Sequence, residues 1–275
     1  MFNNYSVAWP NKLTKAIMKK ISAVFLLLFC FAASAQDFTL FQKQEYNESG
    51  KMLPYRILYP EHYDKSKKYP LVLFLHGAGE RGNDNAIQLT HGGALFLADS
   101  NRKNFPCIVL FPQCPTDSSW GSVKVDRTKT PLSFSFDYTM PQTWAMKAVI
   151  GLTKQITATE SVDKLRIYIS GLSMGGFGTF EAVYQYPKLF AAAVPICGGG
   201  DTLHYDKRVK KIPFWVFHGD ADAVVNVENS RAMVRTLQSL HVSVKYSEYP
   251  GVNHNSWDNA FAEPTYLSWM FSHKK

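Results

Sequence analysis

The sequence predicts an α/β fold with a mainly parallel central sheet and helices on both faces. Three observations carry that reading. From residue 71 to the end, short apolar runs alternate with longer stretches of helical period. The runs at 71–75, 107–111, 191–196 and 214–217 are apolar throughout, as strands covered on both faces require. Glycine-bearing loops follow, at His76-Gly77, Gly171, Gly198-Gly199-Gly200 and His218-Gly219. In sheets of this kind the loops at the carboxyl ends of the strands carry function.

Each element has its own signal. Residues 38–43 and 53–59 read as an early antiparallel pair of strands. Pro60 and Pro70 then bracket a loop rich in Lys and Asp. The strand at 71–75 runs into His76-Gly77-Ala78-Gly79-Glu80-Arg81-Gly82, and a mixed segment reaching Leu97 reads as helical. The strand at 107–111 ends at Pro112. Residues 118–136 are polar and aromatic without a clean period, so they read as loop. Apolar spacing predicts a helix over 142–156 and a strand over 165–169 that runs straight into Gly171. A helix over 177–186 stops before Pro187, because proline cannot continue it. Strands at 191–196 and 214–217, a helix over 228–240, a strand over 242–249 and a last helix over 260–273 complete the pattern. No repeat and no break in composition marks a second domain.

The N-terminus is of a different kind. Met18-Lys19-Lys20 precedes an apolar stretch of about 13 residues, and Ala33-Ser34-Ala35 follows before Gln36. That is a charged start, a short apolar region and a small-residue cleavage site. It predicts a signal peptide over 1–35, with Met18 as the start, and a single catalytic domain over 36–275 that is exported to the periplasm or the medium. The stretch is too short for a stable membrane span. The net charge of +8 falls to +4 without the four lysines of this segment, leaving 26 basic and 22 acidic residues. The remaining Lys and Arg are scattered, so no basic stripe marks a nucleic-acid partner.

Export implies an oxidising compartment. Three cysteines remain beyond the leader: Cys107, Cys114 and Cys197. Cys107 and Cys114, seven residues apart along one strand, are too distant to bond. Cys114–Cys197 is open on geometry, and the odd count leaves at least one thiol without an intramolecular partner. No spacing marks a zinc site, and no metal or cofactor is expected.

Gly171-Leu172-Ser173-Met174-Gly175 matches G-x-S-x-G between a β-branched strand and a helical stretch. That is the setting of a strained strand–turn–helix elbow that lifts a serine hydroxyl out of a sheet. A hydroxyl needs a base. His254, after the last strand in Val252-Asn253-His254-Asn255-Ser256-Trp257, is the candidate among eight histidines. His76 and His218 precede glycine at strand ends and read as loop buttresses. His62, His241 and His273 read as exposed, and His91 and His204 have no favourable context. The orienting acid is Asp222 in His218-Gly219-Asp220-Ala221-Asp222, with Asp220 the alternative. Oxyanion donors are expected from the N–H groups of Met174 and Ala78, with Gly79 second. Glu80 and Arg81 could pair and hold that loop. Trp120, Trp257, Phe134 and Phe136 are candidates to line an acyl pocket, Trp257 foremost because it neighbours the base.

With these residues in place the chain resembles the α/β-hydrolase superfamily. More narrowly it is similar to secreted acetylxylan and feruloyl esterases, polyhydroxybutyrate-depolymerase-like esterases and related peptidases. The resemblance rests on HGAGERG (76–82), FPQCP (111–115), GLSMGG (171–176), HGDAD (218–222) and NHNSWD (253–258). It implies an α/β-hydrolase fold, a Ser173–Asp222–His254 triad and hydrolysis of small-molecule or polysaccharide esters. A serine peptidase, a small-molecule carboxylesterase or lysophospholipase, and a non-catalytic binding protein on the same scaffold are the alternatives. No long lid insertion or carbohydrate-binding module is evident.

Overall fold

In the computed structural model, residues 36–275 are described. The expected leader over 1–35 lies outside them. Ten strands form: β1 (Gln42–Glu48), β2 (Lys51–Leu58), β3 (Tyr69–Leu75), β4 (Ile108–Pro112), β5 (Val123–Asp126), β6 (Ser133–Phe136), β7 (Val162–Leu172), β8 (Ala192–Ile196), β9 (Phe214–Gly219) and β10 (Val244–Tyr249). Eight of them make one sheet in the order β1-β2-β4-β3-β7-β8-β9-β10. β1 and β2 pair antiparallel, as do β2 and β4, and every pair from β4 to β10 is parallel.

Strand alternation divides the core in two. Leu71, Leu73 and Leu75 of β3 face one layer, with Ile167 and Ile169 of β7 and Phe214 and Val216 of β9. Val72 and Phe74, Tyr168, and Trp215 and Phe217 face the other. Both faces are therefore apolar, which is why these strands carry no polar alternation. α3 (Trp144–Thr159), α4 (Met174–Gln185) and α5 (Glu228–Ser239) cover the first face, with Met146, Phe180 and Leu237 buried against it. α1 (Gly93–Leu97), α6 (Trp257–Ala262) and α7 (Tyr266–Phe271) cover the second, through Phe96, Ala260, Leu267 and Met270. A short helix, α2 (Asp99–Asn104), follows α1.

Four local readings are corrected. Residues 118–136 are not all loop: β5 and β6 form a two-stranded hairpin with Val123 opposite Phe136 and Val125 opposite Phe134. Four-residue strands are too short to impose a visible period. Residues 38–40 form a 3-10 turn, and the first strand starts later, at Gln42. The segment before Leu97 folds as 3-10 turns (Ala78–Glu80, Ile87–Leu89) before α1. The last helix breaks in two at Pro264, which holds Glu263 extended (φ −62°, ψ 119°).

Register aligns the functional loops. Leu75 of β3 sits beside Gly171 of β7, Leu172 beside Ile196 of β8, Ile196 beside Phe217 of β9, and Gly219 beside Tyr249 of β10. The loops leaving these strands all emerge from the same carboxyl edge.

Candidate active site

Ser173 occupies the turn between β7 and α4 with φ +54° and ψ −117°, a left-sided conformation that costs a non-glycine residue energy. Neighbours hold it there. The Ser173 N–H donates to the Ile196 carbonyl at 2.9 Å. The flanking glycines make room: a Cβ on Gly171 would overlap the Gly175 carbonyl, and one on Gly175 would overlap the Leu75 carbonyl. The G-x-S-x-G spacing is thus a packing requirement of strand, turn and helix in contact. Met174 opens α4, so its N–H has no intrahelical acceptor and lies at the positive end of the helix dipole.

His254 reaches Ser173 from the loop after β10. Its Nε2 is 3.0 Å from Ser173 Oγ, and its Nδ1 is 2.8 Å from Asp222 Oδ2. The carboxylate fixes the tautomer: Nδ1–H donates to Asp222, leaving Nε2 to accept from the hydroxyl. Asp222 is itself saturated. Its Oδ1 accepts the N–H groups of Val224 and Val225, both at 2.8 Å, and its Oδ2 also meets His218 Nε2 at 3.2 Å. Burial alone would raise its pKa. The hydrogen bonds from His218 and His254, the charge of His254 and the Val225 N–H outweigh burial and hold the carboxyl well below the usual range.

The alternative acid does something else. Asp220 Oδ1 accepts the Gly251 N–H at 2.6 Å, tying the Asp222 loop to the His254 loop. Asn253 Oδ1 accepts from Ala223 N–H at 2.9 Å and from the His254 N–H at 2.7 Å, strengthening the same seam.

His76 and His218 are both fully buried. His76 Nε2 accepts the Cys114 N–H at 2.9 Å, so Nδ1 carries the proton and donates to the Gly77 carbonyl at 2.6 Å. Burial, with a smaller contribution from Arg81, pushes its pKa down to about 4 and keeps the ring neutral. Gln113 braces the same loop, accepting from Asn85 N–H at 2.7 Å and donating to Asp84 at 3.0 Å. These contacts explain the 111–115 motif: Gln113 and Cys114 support the loop that sets Ala78 beside Ser173. His218 Nδ1 meets Ser230 Oγ at 2.7 Å, and its Nε2 lies 2.9 Å from the Val225 carbonyl as well as near Asp222.

An open slot of about 300 Å³ lies on Ser173. Ala78, Met174, Phe177, Val123, Val125, Phe134 and Val225 give it apolar walls. The β5–β6 hairpin supplies one side. A mixed groove of about 470 Å³, with Ser118, Ser135, Met140, Pro141 and Trp144 in its wall, adjoins it through Ser119 and Val123.

Several expectations change here. Trp120 is not a pocket residue: it is fully buried, its Nε1–H donates to the His76 carbonyl at 3.1 Å, and its ring stands edge-on to His76. Trp257 packs edge-to-face on His254 with ring centroids 5.3 Å apart, and is not among the slot-lining residues. Phe134 lines the slot, whereas Phe136 packs behind it on Phe177. Glu80 and Arg81 do not pair. Glu80 lies 3.6 Å from His91, and Arg81 donates to the carbonyls of Ala78, Thr116 and Ser118. His91, without context in the sequence, stands between Glu80 and Trp257, and no local signal would have found it. The three described cysteines are free and buried. Burial pushes the thiols of Cys107 and Cys114 up to about 12 and that of Cys197 higher still. Cys197 Sγ lies behind the site, near the Asp222 carboxylate and the His254 ring.

A mainly parallel sheet with a serine elbow at its carboxyl edge defines a class, and the fold is that of an α/β-hydrolase. The family model described as Phospholipase/Carboxylesterase matches residues 134–264. Among solved structures the chain is similar to a thermostable esterase, with 38% identity and a TM-score of 0.78 over 86% of this chain and 64% of that one. Among curated proteins it is 26% identical to a probable carboxylesterase, SOBER1-like, of Arabidopsis thaliana, over 67% of this chain and 72% of the relative. It is 27% identical to the bifunctional acetylxylan esterase/xylanase XynS20E of Neocallimastix patriciarum, over 62% of this chain and 22% of the relative. The chain spans about a fifth of the length of two of the fungal relatives it matches, XynS20E among them. Among the described residues, no helix is long and apolar enough to cross a membrane.

Proposed function

We propose that this protein is an exported serine carboxylic-ester hydrolase that removes acyl groups such as acetyl or feruloyl from polysaccharide-derived substrates. The observation that carries the reading is the continuous line from Ser173 Oγ through His254 to Asp222, with distances of 3.0 and 2.8 Å, opening onto a slot large enough for one acyl group. Ser173 Oγ attacks the ester carbonyl carbon while His254 Nε2 takes the hydroxyl proton. Asp222 stabilises the resulting imidazolium. The N–H groups of Met174 and Ala78, with Gly79 beside them, hold the oxyanion, each donor contributing about 3–4 kcal/mol at the transition state. The tetrahedral adduct collapses, and the alcohol leaves with the proton from His254. Water then attacks the acyl-serine, His254 accepts its proton, and the acid is released.

The groove beside the slot supports a hydroxyl-bearing alcohol, because the Ser118 and Ser135 hydroxyls in its wall, without a partner among the described residues, offer hydrogen bonds that an alkyl chain would leave unused. The acetylxylan esterase relative supports the polysaccharide class, and the Met18-Lys19-Lys20, apolar and Ala33-Ser34-Ala35 pattern supports export. No resident metal or cofactor takes part in this scheme.

The test is turnover by the mature chain from Gln36. The panel is para-nitrophenyl acetate and butyrate, methyl ferulate, acetylated xylan and a peptide anilide, each beside a Ser173→Ala control. Ester turnover that falls at least about 10³-fold in the control is expected. A folded protein inactive on every ester overturns the esterase reading, and anilide turnover alone moves it to a peptidase.

A further inference from the structure

The slot on Ser173 has apolar walls, but two arginines stand among its lining residues: Arg81 and Arg127. No acidic residue lines the slot. Among the described residues, neither arginine has a carboxylate within 4.0 Å, whereas five of the other six do: Arg102, Arg166, Arg208, Arg231 and Arg235 pair with Asp or Glu at 2.6–3.2 Å, leaving only Arg56, which donates to the Asn85 and Phe41 carbonyls.

Each arginine is placed by its surroundings. Arg81 donates through Nε to the Ala78 carbonyl at 3.1 Å and through Nη1 to Thr116 and Ser118 at 3.2 and 3.4 Å. Its guanidinium is held without being neutralised, and among the described residues no acceptor engages Nη2. Arg127 follows β5, whose alternation turns Val123 and Val125 to the slot. Asp126 is on the opposite phase of that alternation. Its carboxylate accepts from the N–H and Oγ1–H of Thr128 and faces Lys129 at 3.9 Å, so it does not cancel Arg127.

We infer that the substrate carries a carboxylate on the part of the ester that occupies this slot. The inference rests on the esterase reading and names its substrate class. An apolar segment fills the walls of Val123, Val125, Phe134 and Phe177, and its anionic end meets Arg81 and Arg127. Arg81 is fixed in advance, so little rotamer entropy is lost when it donates to a carboxylate. The carboxylate comes from the acyl group, as in a half-ester of a dicarboxylic acid, or from the alcohol, as in an acylated hydroxy acid or uronate.

Matched pairs separate these sources. The acyl arm compares the mono-para-nitrophenyl ester of adipic acid with para-nitrophenyl hexanoate. The alcohol arm compares 4-acetoxybenzoate with 4-acetoxybenzamide. In one arm, kcat/KM for the anionic member exceeds that for the neutral member by about tenfold at low ionic strength. The ratio shrinks as salt rises from about 0.01 M to about 0.5 M, because the contact is partly exposed. Arg127→Gln lowers the anionic-to-neutral ratio, and Arg127→Glu drives it below one. Arg127 makes no hydrogen bond or ion pair among the described residues, so these variants leave the fold supported. A wild-type ratio at or below one in both arms, or a ratio unmoved by Arg127→Glu, overturns the inference while leaving the esterase reading standing. Absence of turnover on the neutral members as well overturns the esterase reading instead.

Discussion

At Asp222, four donors converge on one carboxylate, two of them backbone N–H groups and two imidazoles. A carboxylate so surrounded stays ionised throughout the range in which a histidine base works, so it orients His254 without competing for the proton. Asp222→Asn reverses the donor pattern facing His254 Nδ1 and favours the wrong tautomer; kcat falls about 10³–10⁴-fold. Asp220→Asn keeps an oxygen for the Gly251 N–H and lowers kcat far less. Steady-state kinetics on the two variants separate the acids, and equal losses would contradict the assignment. The choice between them was legible in HGDAD only as a preference, since both carboxylates follow the same strand. What separates them is the loop path after Gly219, which depends on the backbone of residues 250–253. The thiols give a second prediction at this scale. Cys107, Cys114 and Cys197 are buried and protonated, so alkylation of the native chain at neutral pH is slow and proceeds after denaturation. Rapid labelling of the native protein at any of the three would contradict their placement.

The elbow is the element on which the site depends. Gly175 meets the end of β3 so closely that a Cβ would overlap the Leu75 carbonyl, and backbone cannot swing aside as a side chain can. Gly175→Ala therefore costs about 4 kcal/mol or more, or prevents folding, as denaturant titration of the purified chain would show. An alanine variant of wild-type stability would mean that the strand and helix do not approach as described. This element was readable because packing forces glycine at fixed spacing. The β5–β6 hairpin was not readable. Its strands have four residues each, its Phe and Val side chains face the slot and α4, and its polar residues face outward over too short a span to show a period. Trp120 was misplaced for a related reason: a tryptophan in an irregular segment gives no sign of facing inward, and its burial comes from the His76 carbonyl and from Gly178, which leaves room for it.

For the whole molecule, the parallel sheet and its two apolar layers were legible because continuous apolar runs alternate with helices, whereas the order of strands was not. Stability, by contrast, is tied to one buried ring. His76 has a pKa near 4 in the fold and near 6.5 when exposed, with burial the main cause. Between those values the unfolded chain binds a proton that the folded chain refuses, so the His76 contribution to stability is lost as pH drops from about 6.5 to 4 and changes no further below. The full effect is about 3 kcal/mol. His76→Gln, less stable at neutral pH, loses this part of the acid sensitivity. Unfolding midpoints at pH 7 and pH 4.5 measure it, and an unchanged pH dependence in the variant would contradict a neutral buried His76. The central claim, that His254 and Asp222 activate Ser173 for acyl transfer, is tested most directly by covalent trapping. The purified chain is treated with an organophosphonate, and the adduct is located by intact mass and peptide mapping while ester turnover is followed. The account predicts one adduct, on Ser173, formed in step with loss of turnover and slowed severely in His254→Ala. An adduct elsewhere, or ester turnover that survives complete modification of Ser173, would contradict it.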